Sequence, residues 1–115
     1  MQNQNSYKDG IAHIYKEVMM KTDFRAKTNV KKKADMELIV KLAFDEKSKR
    51  QSDVIFAEQM SSTLSLKIVT PFVNGISNSN KVIISDYLYD IFYIDHDKAR
   101  NELYFYLEGV QPIAE

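Results

Sequence analysis

The sequence predicts a mainly β fold, a small antiparallel β-barrel or sandwich of about six strands with one short helix. Apolar and polar residues alternate along several short segments, which is the pattern of a half-buried strand. Turn-forming residues separate these segments. A chain of 115 residues, 44% of them hydrophobic, has apolar material for one core, so we predict a single domain over residues 1–115.

Two strands are predicted in the first half. Residues 11 to about 20 and residues 36–44 each place apolar side chains on alternate positions. Between them, residues 21–35 are polar and rich in lysine, which predicts a long loop. Residues 1–10 are predicted to form a flexible N-terminus.

One short helix is predicted from about residue 52 to residue 61. Ser52 is of the residue type that caps helix N-termini, because its hydroxyl can accept a free backbone N–H. The helical period would place Val54, Ala57 and Glu58 on one side.

The second half predicts four more strands. The first, residues 63–70, stops at Pro71, which lacks the N–H that a strand ladder needs. Residues 71–80 are rich in Asn and Ser and predict a second long loop. The last three strands are predicted at residues 81–85, 87–95 and 102–110, with a tight turn near Ser85 and Asp86.

Few residues are candidates for catalysis or metal binding. The chain has no Cys and two His, and its three Gly are isolated, so no thiolate site or phosphate-binding loop is expected. Asp95, His96, Asp97 and Glu102 are the densest set of possible ligands, but the Gly-centred spacing of a calcium loop is missing. We therefore expect a solvated turn there, and no enzyme, metal or cofactor.

The charges balance, with 16 basic and 16 acidic residues, so no net field attracts nucleic acid or an anionic membrane. A local patch is still possible around Lys27, Lys31, Lys32 and Lys33, although three consecutive lysines more often form a solvated loop. No segment is apolar enough to span a bilayer, and the absence of Cys suits a reducing compartment. We expect a protein made in the cytoplasm with no membrane partner.

Tyrosines recur on the last strands. Tyr87, Tyr89 and Tyr93 share one parity, and Tyr104 shares another with Tyr106. Exposed tyrosines can stack on bases or anchor a protein interface. Core packing or a protein interface is the favoured interpretation.

Residues 56–110 resemble the phage head-tail joining family, whose members are also called head-closure or stopper proteins. The resemblance rests on several short elements that follow each other in the family's order, including a turn-rich loop and an Asp-rich, Arg-containing turn before the last strand. The residues that carry it are Ser65-Leu66-Lys67-Ile68-Val69-Thr70-Pro71, Lys81-Val82-Ile83-Ile84, Leu88-Tyr89-Asp90-Ile91, the turn from Asp95 to Arg100, and Glu102-Leu103-Tyr104-Phe105-Tyr106-Leu107-Glu108.

The resemblance implies a small β-barrel with a helical insertion, assembled as a homo-oligomeric ring in the neck of the virion. Such a ring sits beneath the portal and adaptor proteins, retains packaged DNA and offers a docking surface to tail-completion or tail proteins. No catalytic residue is implied. In a ring, a lysine-rich loop would repeat as a charged collar.

The two long loops are the candidates for channel and partner contacts, because both are polar and free of an obvious core contact. The loop candidates are Lys27, Lys31, Lys32, Lys33, Phe72, Asn74, Gly75, Asn78 and Asn80, and the interface candidates are Tyr87, Tyr89, Tyr104 and Tyr106. Two alternatives stay open: a tail-completion or other neck component, and a small β-barrel that binds single-stranded nucleic acid through its tyrosines and lysines. The balanced charge argues against the second.

Overall fold

A computed structural model describes residues 5–18 and 36–113, which form a closed antiparallel β-barrel with one helix. Around the barrel the strand order is β1-β2-β3-β6-β5-β4, and β4 pairs with β1 to close it. The mainly β prediction is confirmed, and the closure selects the barrel over the sandwich. The elements are β1 (Gly10–Glu17), β2 (Met36–Lys47), α1 (Gln51–Gln59), β3 (Leu66–Pro71), β4 (Lys81–Ile84), β5 (Tyr87–Asp97) and β6 (Glu102–Pro112).

The predicted strands are all present, with shifted ends. β5 and β6 pair along their whole length, from Tyr87 with Pro112 to Asp97 with Glu102, so the connection predicted at residues 95–101 is shorter than expected. β3 begins at Leu66 rather than at residue 63. The tight turn at Ser85 and Asp86 is confirmed. The predicted loop at residues 21–35 lies outside the described residues.

The helix begins earlier than predicted, and its cap differs. Arg50 rather than Ser52 is the N-cap, and its backbone N–H donates to the Asp53 carboxylate at 3.0 Å. Asp53 and Ala57 are buried, whereas Val54 and Glu58 are exposed, so the prediction that Val54, Ala57 and Glu58 share one side is wrong for Ala57. An acidic side chain in the first turn can satisfy a free N–H and also interact favourably with the helix dipole.

The core fills the barrel interior, where Ile14, Ile68, Phe105 and Leu107 are fully buried. Residues on the other face of β4 are also buried. Ile83, between two core residues, packs into a second, outer cluster. The members of that outer cluster are Met36, Ile83, Leu88 and Ile113, with half-buried Tyr15 against them.

Register shifts redirect some side chains of β5. Shifts occur between Leu88 and Tyr89, where the extra residue is in β6, and between Ile91 and Tyr93, where the extra residue is Phe92 of β5. Tyr89 packs against the main core, whereas Tyr93 is exposed on the outer surface. The prediction that Tyr93 shares a face with Tyr89 is therefore wrong, because an extra residue in a strand reverses the alternation.

The segment before β1, predicted as part of a flexible N-terminus, makes backbone contacts to β2 over residues 6–9. The backbone N–H groups of Ser6 and Lys8 donate to the Asp45 carboxylate at 2.9 and 2.8 Å. The N–H of Asp9 donates to the carbonyl of Phe44 at 2.9 Å. Among the described residues, no helix has the length and apolar character needed to cross a membrane.

Candidate functional site

The predicted partner loop, residues 72–80, covers one end of the barrel. Phe72, Val73 and Ile76 pack against the main core. The backbone N–H of Phe72 donates to the carbonyl of Asn101 at 3.0 Å, which joins the loop to the turn between β5 and β6. The expectation that this loop has no core contact is wrong, because its apolar side chains cover the open end of the barrel.

The tip of this loop is exposed and polar. Asn74, Gly75 and Asn78 are all exposed. Gly75 has a φ of +88°, a conformation that residues with a side chain rarely adopt. The polypeptide can therefore turn sharply at Gly75, while Val73 before it and Ile76 after it stay against the core.

Asn80 differs from the other loop candidates because it is buried. The side-chain oxygen of Asn80 accepts the backbone N–H of Ser77 at 2.8 Å. The backbone N–H of Asn80 donates to the backbone carbonyl of Ser77 at 3.1 Å. Asn80 thus shapes the loop from inside, and its predicted role as a contact residue is corrected.

Phe72 also has an intramolecular partner. Its ring stacks on the ring of His96 with 4.3 Å between centroids and 9° between planes. Since Phe72 is half-buried as well, one face of its ring is occupied within the chain.

The acidic turn before β6 does not assemble a metal site. Asp97 accepts the backbone N–H of Arg100 at 3.2 Å and its guanidinium at 3.4 Å, which confirms the prediction of a turn stabilised by Asp side chains. Within the described ranges, no three His, Asp or Glu groups come close enough to hold an ion. Glu102 pairs across the strands with Asp97 but makes its contacts elsewhere.

Glu102 anchors the N-terminal segment. It is 4% exposed, and its Oε2 accepts the Asn5 amide at 2.9 Å and the Tyr7 hydroxyl. The Lys47 ammonium donates to the Asn5 side chain at 2.9 Å. Burial, together with the hydrogen bond to Glu102 and its charge, raises the pKa of Tyr7 to about 12. From the sequence, Glu102 is predicted only as a possible metal ligand, because no local pattern indicates partners as distant in the chain as Asn5 and Tyr7.

The raised pKa of Tyr7 predicts a loss of stability in alkali. The tyrosine of the unfolded chain ionises near pH 10, whereas the folded chain holds its proton until pH 12 or so. Between these two values the unfolded state loses protons first, so the melting temperature falls as pH rises. Thermal melts across this range check the effect, and Tyr7→Phe is the control. An equal fall in both proteins would contradict the assigned cause.

The tyrosines predicted as an interface are partly used inside the fold. The Tyr106 ring lies 6.0 Å from the ring of Phe56 in α1, and the Lys67 ammonium lies 5.1 Å from its centroid. The same ammonium is 5.8 Å from the ring of Tyr104. Tyr106 therefore belongs to the contact between α1 and the barrel, and less of its surface can meet a base or a partner.

The other predicted pair lies near the start of β5. The rings of Tyr87 and Tyr89 are 5.2 Å apart, and Tyr89 also packs against the main core. Tyr87 covers Gly109, where an added Cβ would be 3.1 Å from the ring. A glycine at that position leaves room for the tyrosine.

An ion pair fixes α1 on the barrel. The Lys67 ammonium in β3 lies 3.0 Å from the Asp53 carboxylate, with side chains only 10% and 12% exposed. Burial raises the pKa of Asp53, but the N–H of Arg50 and the charge of Lys67 outweigh it and leave the pKa below its ordinary value. No local sequence pattern predicts this pair, because the two residues are adjacent only after the barrel has formed.

The lysines Lys27, Lys31, Lys32 and Lys33 lie outside the described residues, so their contacts stay a prediction.

No protein-family model matches the sequence, and no curated protein matches it. The surfaces of the barrel are therefore the basis for a functional proposal.

Proposed function

We propose that this chain is a structural, non-enzymatic subunit of the phage neck. In this proposal a homo-oligomeric ring of copies joins the DNA-filled head to the tail and closes the portal channel. The observation that carries it is the set of exposed residues Asn74, Gly75 and Asn78, held over one end of a closed barrel by apolar side chains of the same loop.

A ring repeats each exposed loop around its axis. A loop whose apolar side chains pack on the core keeps the same position in every copy, so the repeated exposed tips can narrow a channel together. Amide side chains at the tip can donate to phosphate oxygens or to partner backbones without adding net charge. Such a loop can retain DNA without binding it strongly.

The buried polar groups stabilise the fold, as expected of a structural protein. Glu102 holds the segment before β1, and Asp53 with Lys67 holds α1. The proposal assigns them no chemical step. Portal and adaptor proteins on one side, and tail-completion or tail proteins on the other, are its partners.

Electron microscopy of DNA-filled heads that lack this protein, before and after adding it back, tests the proposal. We expect a ring of density at the neck, retained DNA and restored tail attachment after addition. Intact, tailed particles without the protein would refute it. Binding only to isolated tails would support tail completion, and salt-sensitive binding to a labelled oligonucleotide would support nucleic-acid binding.

One substitution in the same experiment tests the tip. Asn78→Asp adds a negative charge at an exposed position and is expected to reduce DNA retention while the density ring remains. Ser48→Asp is the matched control. Ser48 is exposed and directly follows β2, at the end of the barrel where β3 starts, so it lies away from the tip of the loop that follows β3. Equal retention in both variants would remove the tip from the proposed mechanism. Deleting residues 74–80 is a poorer test, since it would remove Ile76 from the core.

A further inference from the structure

The solvent side of α1 carries more apolar residues than is usual for a surface helix. Asp53, Phe56 and Ala57 face the barrel, whereas the solvent side of a helix normally carries polar residues. Two residues on this solvent side are apolar instead, Val54 at 39% and Ile55 at 46% exposed. We call this pair the helix patch.

A second apolar surface lies on the outside of β1 and β2. Its residues are between 38% and 47% exposed. Leu38 pairs with Tyr15, and Ile39 lies at the register shift that follows, so both stay on the surface of the strand pair. We call this set the hairpin patch: Ile11, Leu38 and Ile39.

The two patches lie on opposite sides of the barrel. In the closed order β1-β2-β3-β6-β5-β4, β6 is the strand farthest from β1 in either direction, and β5 is farthest from β2. The helix rests on β5 and β6 through Phe56, which contacts Tyr93 and Tyr106. Two different patches on opposite sides suit a head-to-tail contact, which can close into a ring, whereas a two-fold dimer would bury the same patch twice.

The charges beside the patches are complementary. Glu58 is exposed one helical turn after Val54, and Lys41 is exposed on β2 next to the hairpin patch. In the part of the chain that the structure describes, neither side chain has an ion pair or a hydrogen bond. Each is available to a partner of opposite sign.

We propose that the helix patch of one copy binds the hairpin patch of the next copy, with Glu58 facing Lys41. This proposal rests on the proposed ring and specifies the two surfaces through which neighbouring copies would bind each other. The apolar residues supply the buried area, and the charge pair sets the direction and rejects a like-charged approach.

Charge reversal tests the contact. Glu58→Lys alone or Lys41→Glu alone opposes like charges and is expected to weaken self-association of the full chain about fivefold per contact, the upper range for an exposed pair. An equal mixture of the two variants should associate like the wild type, because each copy then meets its complement on both faces. Sedimentation velocity measures this, and Lys98→Glu, which changes an exposed lysine in the turn before β6, is the control.

Cysteine pairing gives a second readout, since the chain has no cysteine of its own. Mixed Ile55→Cys and Ile11→Cys proteins should form a disulfide between unlike copies on mild oxidation. Homodimers of either variant as the main product, or no mixed disulfide at the highest soluble concentration, would overturn the inference.

The outcome is separable from that of the proposed function. Unchanged self-association of Glu58→Lys, together with normal neck rings, would overturn the contact and leave the neck function standing. Restored association in the mixture, with no density added to heads, would support the contact and refute the neck function.

Discussion

Lys67→Met is expected to lower the free energy of unfolding by about 3–5 kcal/mol, the usual cost of removing one partner from a buried ion pair. The substitution leaves the Asp53 carboxylate buried beneath α1 with only the Arg50 N–H as a partner. It also removes the ammonium that lies near the rings of Tyr104 and Tyr106. Urea unfolding measures the loss, provided that the dependence of the unfolding free energy on urea concentration is unchanged. The melting temperature should fall by roughly 10–20 °C.

The double variant Asp53→Asn with Lys67→Met is the control. An amide can still accept the N-cap hydrogen bond, and no charge is then buried alone, so the double variant should be more stable than Lys67→Met. If the loss of unfolding free energy in the double variant equalled the sum of the losses in the two single variants, the two residues would not be coupled.

The same pair predicts a response to acid. Because the folded pKa of Asp53 is lowered, its contribution is present above the unfolded value of 3.8 and is lost as pH falls through the folded pKa. In Lys67→Met that acid-dependent loss should shrink, since the ammonium that lowers the pKa is gone.

Phe105→Ala is expected to cost about 3–5 kcal/mol, because it removes the largest fully buried side chain of the barrel. Phe105 pairs with Ile68 on β3 and with Ile94 on β5. A closed barrel cannot collapse easily around the missing ring, since every strand is held by two neighbours. Chemical unfolding measures the loss.

Phe105→Leu is the matched control, because it keeps most of the volume and should cost only about 1.5 kcal/mol. If the alanine variant cost no more than the leucine variant, the interior would have to close around the gap. The barrel interior would then be neither rigid nor tightly filled.

The Asp53–Lys67 ion pair also matters for the proposed contact between copies. The ion pair and the Phe56 ring hold α1 in one position, and the helix patch depends on that position. Lys67→Met should therefore weaken self-association even where most of the protein remains folded.

The strand alternation was readable because it depends only on neighbouring residues. Leu103, Phe105 and Leu107 face inward as their spacing predicts. The same rule failed at Tyr93, because a register shift depends on the pairing of two strands. It failed again for the helix, where Asp53 faces inward to meet a lysine on β3.

The predicted site was partly readable for the same reason. Composition alone places an exposed turn at Asn74 and Gly75, where local backbone preferences decide. It did not reveal that Asn80 turns inward or that the loop flanks join the core, because those contacts depend on the barrel end that they cover.

The sequence by itself determined the mainly β class, the order of the elements and the exposed tip of the loop after β3, since each follows from local spacing and turn chemistry. Only the tertiary structure decided the closure of the barrel, the Asp53–Lys67 pair, the use of Glu102 by Asn5 and Tyr7, and the opposite placement of the two apolar patches. These features join residues far apart in the chain, and their partners are specified by strand pairing rather than by any local pattern.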